Sequence, residues 1–223
     1  MSPYRAVIFD MDGVLVDSEP AYFEAVNEVL LPTGKQIEWE QYQQLLGTSI
    51  TTTWQGVVKM LGIEADPEAF KERYNDVLLE VFARPRALLP GVRALIAGLR
   101  QRGASIGLAT SSRQAWVEAV LSAVDLPLDT FDAVVWRQMA ERSKPAPDLY
   151  LKAAELVGVS PELCVAIEDT PSGIAAAKAA GMYAVHVRSA STAFPPIEQA
   201  DLVLDSLEDF PLMLVEASPD EPR

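Results

Sequence analysis

Short apolar runs without alternation recur along the chain, and they constrain its fold more than any other feature. A strand covered by helices on both faces needs apolar residues at every position, so such runs are typical of parallel sheets. Helical stretches lie between the runs and end at glycine, which adopts the left-handed conformation of a helix end at little cost. This alternation predicts an α/β fold with an open, doubly wound parallel sheet. The predicted strands are Ala6–Phe9, Ser105–Ala109, Ala133–Trp136, Cys164–Ile167, Ala184–Val187 and, from a weaker pattern, Leu202–Leu204.

One long segment departs from this alternation. Residues 18–86 contain no convincing strand and include helical stretches such as AYFEAVNEVLL and PEAFKERYNDVLLEVF. We therefore predict a helical insert over 18–86, placed after the first strand of an α/β core formed by 1–17 and 87–223. The junctions near 16–20 and 83–90 are the expected hinges.

Composition and charge narrow the classes of partner. Of the 223 residues 49% are hydrophobic, enough for a sizeable core. The formal net charge of −14 disfavours nucleic acid and anionic membranes, because both would be repelled. Cys164 is the single cysteine, which excludes an internal disulfide and a cysteine-based zinc site. No apolar stretch reaches membrane-spanning length and Asp10 interrupts the first apolar run early, so we expect a cytoplasmic protein without membrane or nucleic-acid partners. A monomer is the default expectation for its oligomeric state.

Polar residues follow the predicted strands at the points where those strands end. Because ligands of doubly wound sheets bind outside the carboxyl ends of the strands, these residues are expected to share one rim. Taken singly, each has an ordinary explanation as a turn, a helix cap or a solvated side chain. Because they occur together, in this order and at strand ends, they favour a ligand-binding site. They are Asp10, Asp12, Thr110, Ser111, Lys144, Glu168 and Asp169.

The set suits phosphoryl transfer. A carboxylate such as Asp10 can attack phosphorus and form an aspartyl-phosphate, provided that the negative charges are neutralised. The side chains of Asp10 and Asp169 and the backbone carbonyl of Asp12 are ligands that suit Mg²⁺. The Asp12 side chain is then available to protonate the departing alcohol and later to activate water.

The remaining polar residues suit the phosphate group. Lys144 can pair with both Asp10 and the phosphate, while Thr110 and Ser111 can donate hydrogen bonds to phosphate oxygens. Backbone N–H groups at the start of the following helix can assist them.

Four stretches, FDMDGVLVDSEP, LATSS, SKPAPDLYLKAA and IEDTPSGIAAAKAAGM, resemble the motifs of the haloacid dehalogenase superfamily, in the branch with a helical cap inserted after the first motif. The resemblance implies a Rossmann-like core, an aspartyl-phosphate intermediate and Mg²⁺. By motif, Asp10 is similar to the nucleophile and Asp12 to the general acid–base. Thr110 and Lys144 correspond to the phosphate-binding hydroxyl and the essential lysine, and Asp169 with Glu168 to the acidic metal motif. Family members that dehalogenate lack the second aspartate, so Asp12 favours phosphoryl transfer.

Two differences between this chain and a related group of enzymes bear on which substrate it acts on. SKPAPD and IEDTPSG are similar to β-phosphoglucomutases, which carry a histidine where this chain has Tyr22. Those mutases also hold a second phosphate with a G-x-S-R loop, whereas here the stretch is Gly47-Thr48-Ser49-Ile50. An aliphatic side chain cannot replace a charge-assisted contact to phosphate. We therefore expect hydrolysis of a small phosphate monoester, such as a phosphosugar or phosphoglycolate, with a phosphosugar mutase as the alternative.

Two other classes of protein function are less well supported by the sequence. A phospho-accepting receiver domain uses similar groups, but in another order along the chain and without a helical insert. A binding protein without turnover is disfavoured because every catalytic position is filled.

Within the insert, Tyr22, Thr48, Ser49 and Trp54 are candidates for substrate selection, although packing among the helices explains them equally well. His186, the single histidine, is interpreted as a core or rim residue.

Overall fold

The computed structural model describes residues 4–46, 48–64, 67–188, 191 and 194–216. The chain divides into two compact units, Met1–Asp17 with Arg86–Arg223, and Ser18–Pro85. The strands are β1 (Ala6–Phe9), β2 (Ser105–Ala109), β3 (Ala133–Val135), β4 (Cys164–Glu168), β5 (Tyr183–Val187) and β6 (Leu202–Leu204). The α-helices are α1 (Glu19–Leu30), α2 (Trp39–Tyr42), α3 (Ile50–Leu61), α4 (Pro67–Phe82), α5 (Val92–Gln101), α6 (Gln114–Ala123), α7 (Asp148–Val157) and α8 (Pro171–Ala179).

The first unit is built on a six-stranded sheet with the order β3-β2-β1-β4-β5-β6, in which every pairing is parallel. The predicted α/β fold with a doubly wound parallel sheet is confirmed. β1 is central, and Phe9 at its end is in register with Leu108 of β2 and Ile167 of β4. The residues that follow these three strands are therefore brought to one edge of the sheet.

Three strand ends differ from the sequence prediction by one residue each. β3 ends at Val135, because Trp136 already leads into a short 3₁₀ helix. β5 begins at Tyr183. β4 continues through Glu168, a buried charged residue that an apolar pattern does not include.

Helices α7 and α8 pack on one face of the sheet, in a core that combines a few large side chains with many alanines. Leu149, Tyr150 and Ala153 of α7 and Ile174 and Ala177 of α8 belong to this core, and all of them are fully buried. The strands contribute mostly alanines and Ile8 to the same core. The packing fixes the N-terminal ends of α7 and α8, which flank the candidate site.

Cys164 is buried in β4, where its Sγ donates a hydrogen bond to the carbonyl oxygen of Ser160 (3.4 Å). This placement is that of a small core residue. Among the described residues, every helix is too short or too polar to traverse a bilayer.

In the second unit the described residues, 18–46, 48–64 and 67–85, form helices and connecting loops and no strand. Helices α1 and α3 both pack on α4. Its core contains the fully buried Trp54, Val57, Leu78 and Phe82.

Candidate active site

Lys144 joins the ends of the three central strands. Its Nζ donates hydrogen bonds to Oδ1 of Asp10 (2.6 Å), which follows β1, and to the carbonyl oxygen of Ala109 (3.0 Å), the last residue of β2. A third bond reaches Oε1 of Glu168 (2.5 Å), the last residue of β4. Asp10 is itself held by its backbone N–H, which donates to Ile167 (2.9 Å). The ammonium group and both carboxylates are buried, so these charged bonds act in a medium of low polarity.

Glu168 accepts hydrogen bonds from five donors. Its Oε1 accepts from Lys144 and from the hydroxyl of Tyr150 (3.0 Å). Its Oε2 accepts from the backbone N–H groups of Asp169 (3.1 Å) and Thr170 (3.2 Å) and from the Thr170 hydroxyl (3.0 Å). This number of bonds explains how a carboxylate can be 1% exposed in a sheet interior.

Two glycines leave the space that the acidic side chains occupy. A Cβ placed on Gly173, in the first turn of α8, would lie 1.8 Å from Cδ of Glu168. A Cβ on Gly13 would lie 2.0 Å from Oδ2 of Asp169, and Gly13 also has a φ of +75°, which L side chains rarely adopt. A larger residue at either position would displace an acidic group.

The carboxylates of Asp10, Glu168 and Asp169 form a buried cluster. One oxygen from each lies within 4.8 Å of the others, and the three could hold a metal ion. Burial, with repulsion from Glu168 and Asp12, raises the pKa of Asp10 to about 8, although Lys144 opposes the shift. Burial and the neighbouring carboxylates also raise the pKa of Asp169 well above its usual range. A divalent cation fits here, because it would restore the charged forms of these groups.

A second group of residues surrounds Asp12. The hydroxyl of Ser112 donates a hydrogen bond to Oδ2 of Asp12 (2.9 Å). The backbone N–H of Ser112 donates to Oγ1 of Thr110 (3.0 Å), and that of Thr110 donates to Val135 (2.9 Å). Thr110 and Ser112 are buried, whereas Ser111 is exposed. The loop after β2 is thereby tied to both β1 and β3.

Comparison with known proteins places this arrangement in a family. Residues 4–181 match the family model of haloacid dehalogenase-like hydrolases. The chain belongs to this family. The predicted resemblance is confirmed, and the chain is a hydrolase of the haloacid dehalogenase-like type.

Relatives within the family include both phosphatases and a mutase. Hexitol phosphatase B of Escherichia coli K12 is 36% identical over 213 residues, which are 92% of this chain and 93% of the relative. The β-phosphoglucomutase of Bacillus subtilis is 33% identical over 218 residues, 95% of this chain and 93% of the relative. The crystal structure of CbbY from Rhodobacter sphaeroides in complex with phosphate superposes with a TM-score of 0.78 at 28% identity, covering 92% of this chain and 96% of CbbY.

The chain spans only 18% of a longer relative, the chloroplastic protein SUPPRESSOR OF QUENCHING 1 of Arabidopsis thaliana, at 35% identity over 187 residues.

The predicted residues of the helical unit are mostly engaged in local structure. The Thr48 hydroxyl donates to the carbonyl oxygen of Leu45 (2.7 Å). Ser49 caps α3, since its Oγ accepts from the backbone N–H of Thr52 (3.2 Å). Ile50, at the position of the mutase arginine, is the first residue of that helix, and Gly47 lies outside the described residues.

The two aromatic candidates of this unit pack against other rings. Trp54 is fully buried and stacks on Phe70, with ring centroids 5.1 Å apart. The half-buried Tyr22 contacts Phe82 edge-on at 5.3 Å. For Trp54 the structure favours the packing role that the sequence left open.

His186 is fully buried on β5, in register with Glu168. Its Nδ1 accepts a hydrogen bond from the backbone N–H of Ile197 (3.3 Å). Burial, assisted by Arg188, lowers the pKa of the imidazole, so the side chain is neutral at physiological pH.

Sequence reasoning did not assign roles to three residues that contact the acidic groups. Tyr150 has the pattern of an ordinary core residue in its helix, and nothing local to it indicates a bond to Glu168. Ser112 belongs to the Thr-Ser-Ser motif, but its spacing does not show which serine faces Asp12. Thr170 could have been found, because Thr-Pro-Ser-Gly is a helix-start signal directly after the acidic pair.

Proposed function

We propose that the protein is a Mg²⁺-dependent phosphatase that hydrolyses a small phosphate monoester, a phosphorylated sugar or a compound like phosphoglycolate, through an aspartyl-phosphate. The observation that carries the proposal is the buried Asp10, held 2.6 Å from Lys144 within a cluster of carboxylates. Membership of a hydrolase family with a hexitol phosphatase among its members supports a phosphorylated carbohydrate as the substrate class.

Asp10 is the proposed nucleophile. Its carboxylate attacks phosphorus, a bond forms between the carboxylate oxygen and phosphorus, and the bond from phosphorus to the sugar oxygen breaks. Asp12 gives its proton to the departing oxygen, so the product leaves as a neutral alcohol. Asp12, now a carboxylate, takes a proton from water as the water attacks phosphorus. This second step releases inorganic phosphate and restores Asp10.

Lys144, Thr110 and Ser111 are the proposed phosphate ligands. The Lys144 ammonium group offsets the charge of both the nucleophile and the phosphate, which would otherwise repel each other. Thr110, fixed between β1 and β3, can donate its hydroxyl to a phosphate oxygen. Ser111 is exposed, which supports a contact of its hydroxyl or its backbone N–H with a phosphate that enters from solvent.

The carboxylates of Asp10 and Asp169 and the backbone carbonyl of Asp12 are the proposed Mg²⁺ ligands. Glu168, predicted with them, already accepts five hydrogen bonds, and we therefore assign it to holding Lys144 rather than to the metal. When bound, Mg²⁺ supplies the positive charge that lets Asp10 meet a phosphate dianion.

The helical unit is the proposed cap. Unit 18–85 is inserted directly after the loop that carries Asp10 and Asp12, so closure of such an insert could exclude water during phosphorylation. Tyr22, Thr48 and Ser49 remain the candidates for substrate selection, whereas the fully buried Trp54 is assigned to packing.

A phosphosugar mutase is the second candidate, favoured by the 33% identity to the β-phosphoglucomutase of B. subtilis. A mutase must hold a substrate with two phosphates. Tyr22 and Ile50 replace the histidine and arginine of those mutases, and the aliphatic side chain of Ile50 cannot make a charge-assisted contact to phosphate.

A panel of phosphate monoesters, assayed for phosphate release with Mg²⁺ and with EDTA, tests the proposal. Release from a narrow group of compounds, absent with EDTA and in Asp10→Asn, is the expected result. Asp205→Asn is the matched control: Asp205 forms an exposed ion pair with Arg188 (2.8 Å), so this substitution should not alter turnover. Isomerisation of a sugar phosphate without release of phosphate would overturn hydrolysis in favour of the mutase.

A further inference from the structure

We propose that Ser112 is a positioning residue of the reaction, which holds the general acid–base Asp12 through a hydrogen bond from its hydroxyl. The inference rests on the proposed function and deepens it, because it assigns a role to a residue that acts through Asp12.

The contact itself is direct. Ser112 Oγ lies 2.9 Å from Oδ2 of Asp12, although the two residues are 100 positions apart in the chain. Ser112 is 5% exposed, whereas Asp12 is partly exposed. A buried donor thus reaches a carboxyl group whose Oδ1 is itself shielded from solvent, and this charge-assisted bond restrains rotation of the Asp12 side chain.

Ser112 is fixed independently of Asp12. Its backbone N–H donates to Oγ1 of Thr110 (3.0 Å), and its carbonyl oxygen accepts from the backbone N–H of Arg137 (3.0 Å). These bonds join the loop after β2 to the segment after β3. The hydroxyl therefore projects from a backbone held on both sides, as a positioning group requires.

Helix capping does not account for Ser112. A serine just before a helix usually caps it, but the N-cap of α6 is Arg113, whose side chain makes no capping hydrogen bond, and the backbone N–H of Gln114 donates to Oε1 of Gln138 (3.4 Å). The Ser112 hydroxyl is thus directed to Asp12 and not to the helix backbone.

The direction of this bond has a chemical consequence. Because Oδ2 accepts from Ser112, the proton that Asp12 gives to the leaving oxygen is expected on Oδ1. The same bond holds the carboxylate in place for the second step, when Asp12 takes a proton from water. Loss of the hydroxyl should therefore lower proton transfer while leaving substrate binding intact.

Ser112→Ala, compared with Ser112→Thr and with Ser122→Ala, tests the role. Ser122 is exposed on α6 and serves as the matched serine-to-alanine control. With a hexose phosphate we expect Ser112→Ala to lower kcat about tenfold with KM nearly unchanged, Ser112→Thr to restore most of kcat, and Ser122→Ala to leave both unchanged.

Two readouts separate a role in proton transfer from a general structural role. p-Nitrophenyl phosphate has a leaving group that departs without a proton, so kcat/KM for this ester should fall much less in Ser112→Ala than kcat/KM for the hexose phosphate. In an Asp12→Ala background, measured with either ester, Ser112→Ala should have almost no further effect, because the group on which it acts is gone.

An equal loss for both esters, or an undiminished loss in the Asp12→Ala background, would overturn the inference. So would a Ser112→Ala variant with wild-type kcat. These outcomes are distinct from failure of the proposed function, in which the wild-type protein itself would release no phosphate from any monoester.

Discussion

The Nζ atom of Lys144 lies 2.6 Å from Oδ1 of Asp10 and 2.5 Å from Oε1 of Glu168. One buried ammonium group therefore joins the carboxyl ends of β1 and β4. The two carboxylates raise the pKa of Lys144, although its burial opposes the charged form. The lysine is therefore a structural element of the strand ends as well as a proposed phosphate ligand.

Removal of this ammonium group should cost both stability and activity. Lys144→Met leaves buried carboxylates without their partner, and we expect the free energy of unfolding to fall by about 3 kcal/mol. Urea denaturation at neutral pH in EDTA measures the change. Lys152→Met is the control, since Lys152 forms a largely exposed pair with Glu155 and should shift stability by less than about 0.5 kcal/mol. Equal stability of the two variants would contradict the account.

The Tyr150 hydroxyl should contribute through Glu168. Tyr150→Phe retains the buried ring, which lies 5.0 Å from the Lys144 ammonium group, but removes one of the donors to the Glu168 carboxylate. Because a hydrogen bond to a charged group contributes about 1.5–3 kcal/mol, we expect kcat to fall roughly tenfold to hundredfold with little change in KM.

Steady-state kinetics of Tyr150→Phe beside Tyr183→Phe provide the measurement. The Tyr183 hydroxyl lies at an exposed edge, 3.5 Å from the carbonyl oxygen of Asp201, so its loss should leave kcat unchanged. If Tyr150→Phe retained full activity, Glu168 would not need that donor to hold Lys144.

The buried carboxyl of Asp10 should make the metal-free protein sensitive to pH. Its pKa is raised to about 8 in the folded state, so the folded protein holds a proton that the unfolded chain has already lost. This contribution to stability is complete below the ordinary pKa of aspartate and is lost as the pH rises towards 8.

Comparison with Asp10→Asn isolates this effect, because the amide does not titrate. In EDTA, wild-type stability relative to the variant should fall by about 3 kcal/mol between pH 5 and pH 8, and Mg²⁺ should restore most of it at pH 8. Urea denaturation across this range checks the prediction. A constant difference between the two proteins would show that Asp10 is charged throughout.

Gly173→Ala should displace Glu168. The new Cβ would lie 1.8 Å from the carboxyl carbon, and Glu168 cannot move without breaking its bonds to Lys144 and Thr170. We expect phosphatase activity to fall by about two orders of magnitude, measured as kcat at saturating Mg²⁺. Ser172→Ala, an exposed neighbour in the same helix turn, should retain activity. Normal turnover in Gly173→Ala would mean that Glu168 has room to relocate.

The strands were predictable because their burial is continuous. β1, β2 and β6 have the predicted bounds, since each apolar run ends where the chain leaves the sheet. Glu168 shows the limit of this reasoning: its charge ended the predicted strand, yet it belongs to β4, because donors from α7, the Lys144 loop and the start of α8 satisfy it in the interior.

The same limit applies to the site. Asp10, Lys144 and Asp169 could be proposed from motifs that lie at strand ends. The bonds from Ser112 to Asp12 and from Tyr150 to Glu168 join elements that are distant in sequence, and only tertiary packing decides which serine or which aromatic residue makes them. The capping role of Ser49 depends in the same way on where α3 begins.

The most direct test of the proposed function is rapid-quench mass spectrometry of the wild-type protein, mixed with Mg²⁺ and a monoester that it hydrolyses. We predict a transient peptide that carries one phosphoryl group on Asp10 and disappears at the rate of phosphate release, with no such species in Asp10→Asn. Phosphate release at full rate with Asp10 never modified, or with the phosphoryl group on another residue, would contradict it.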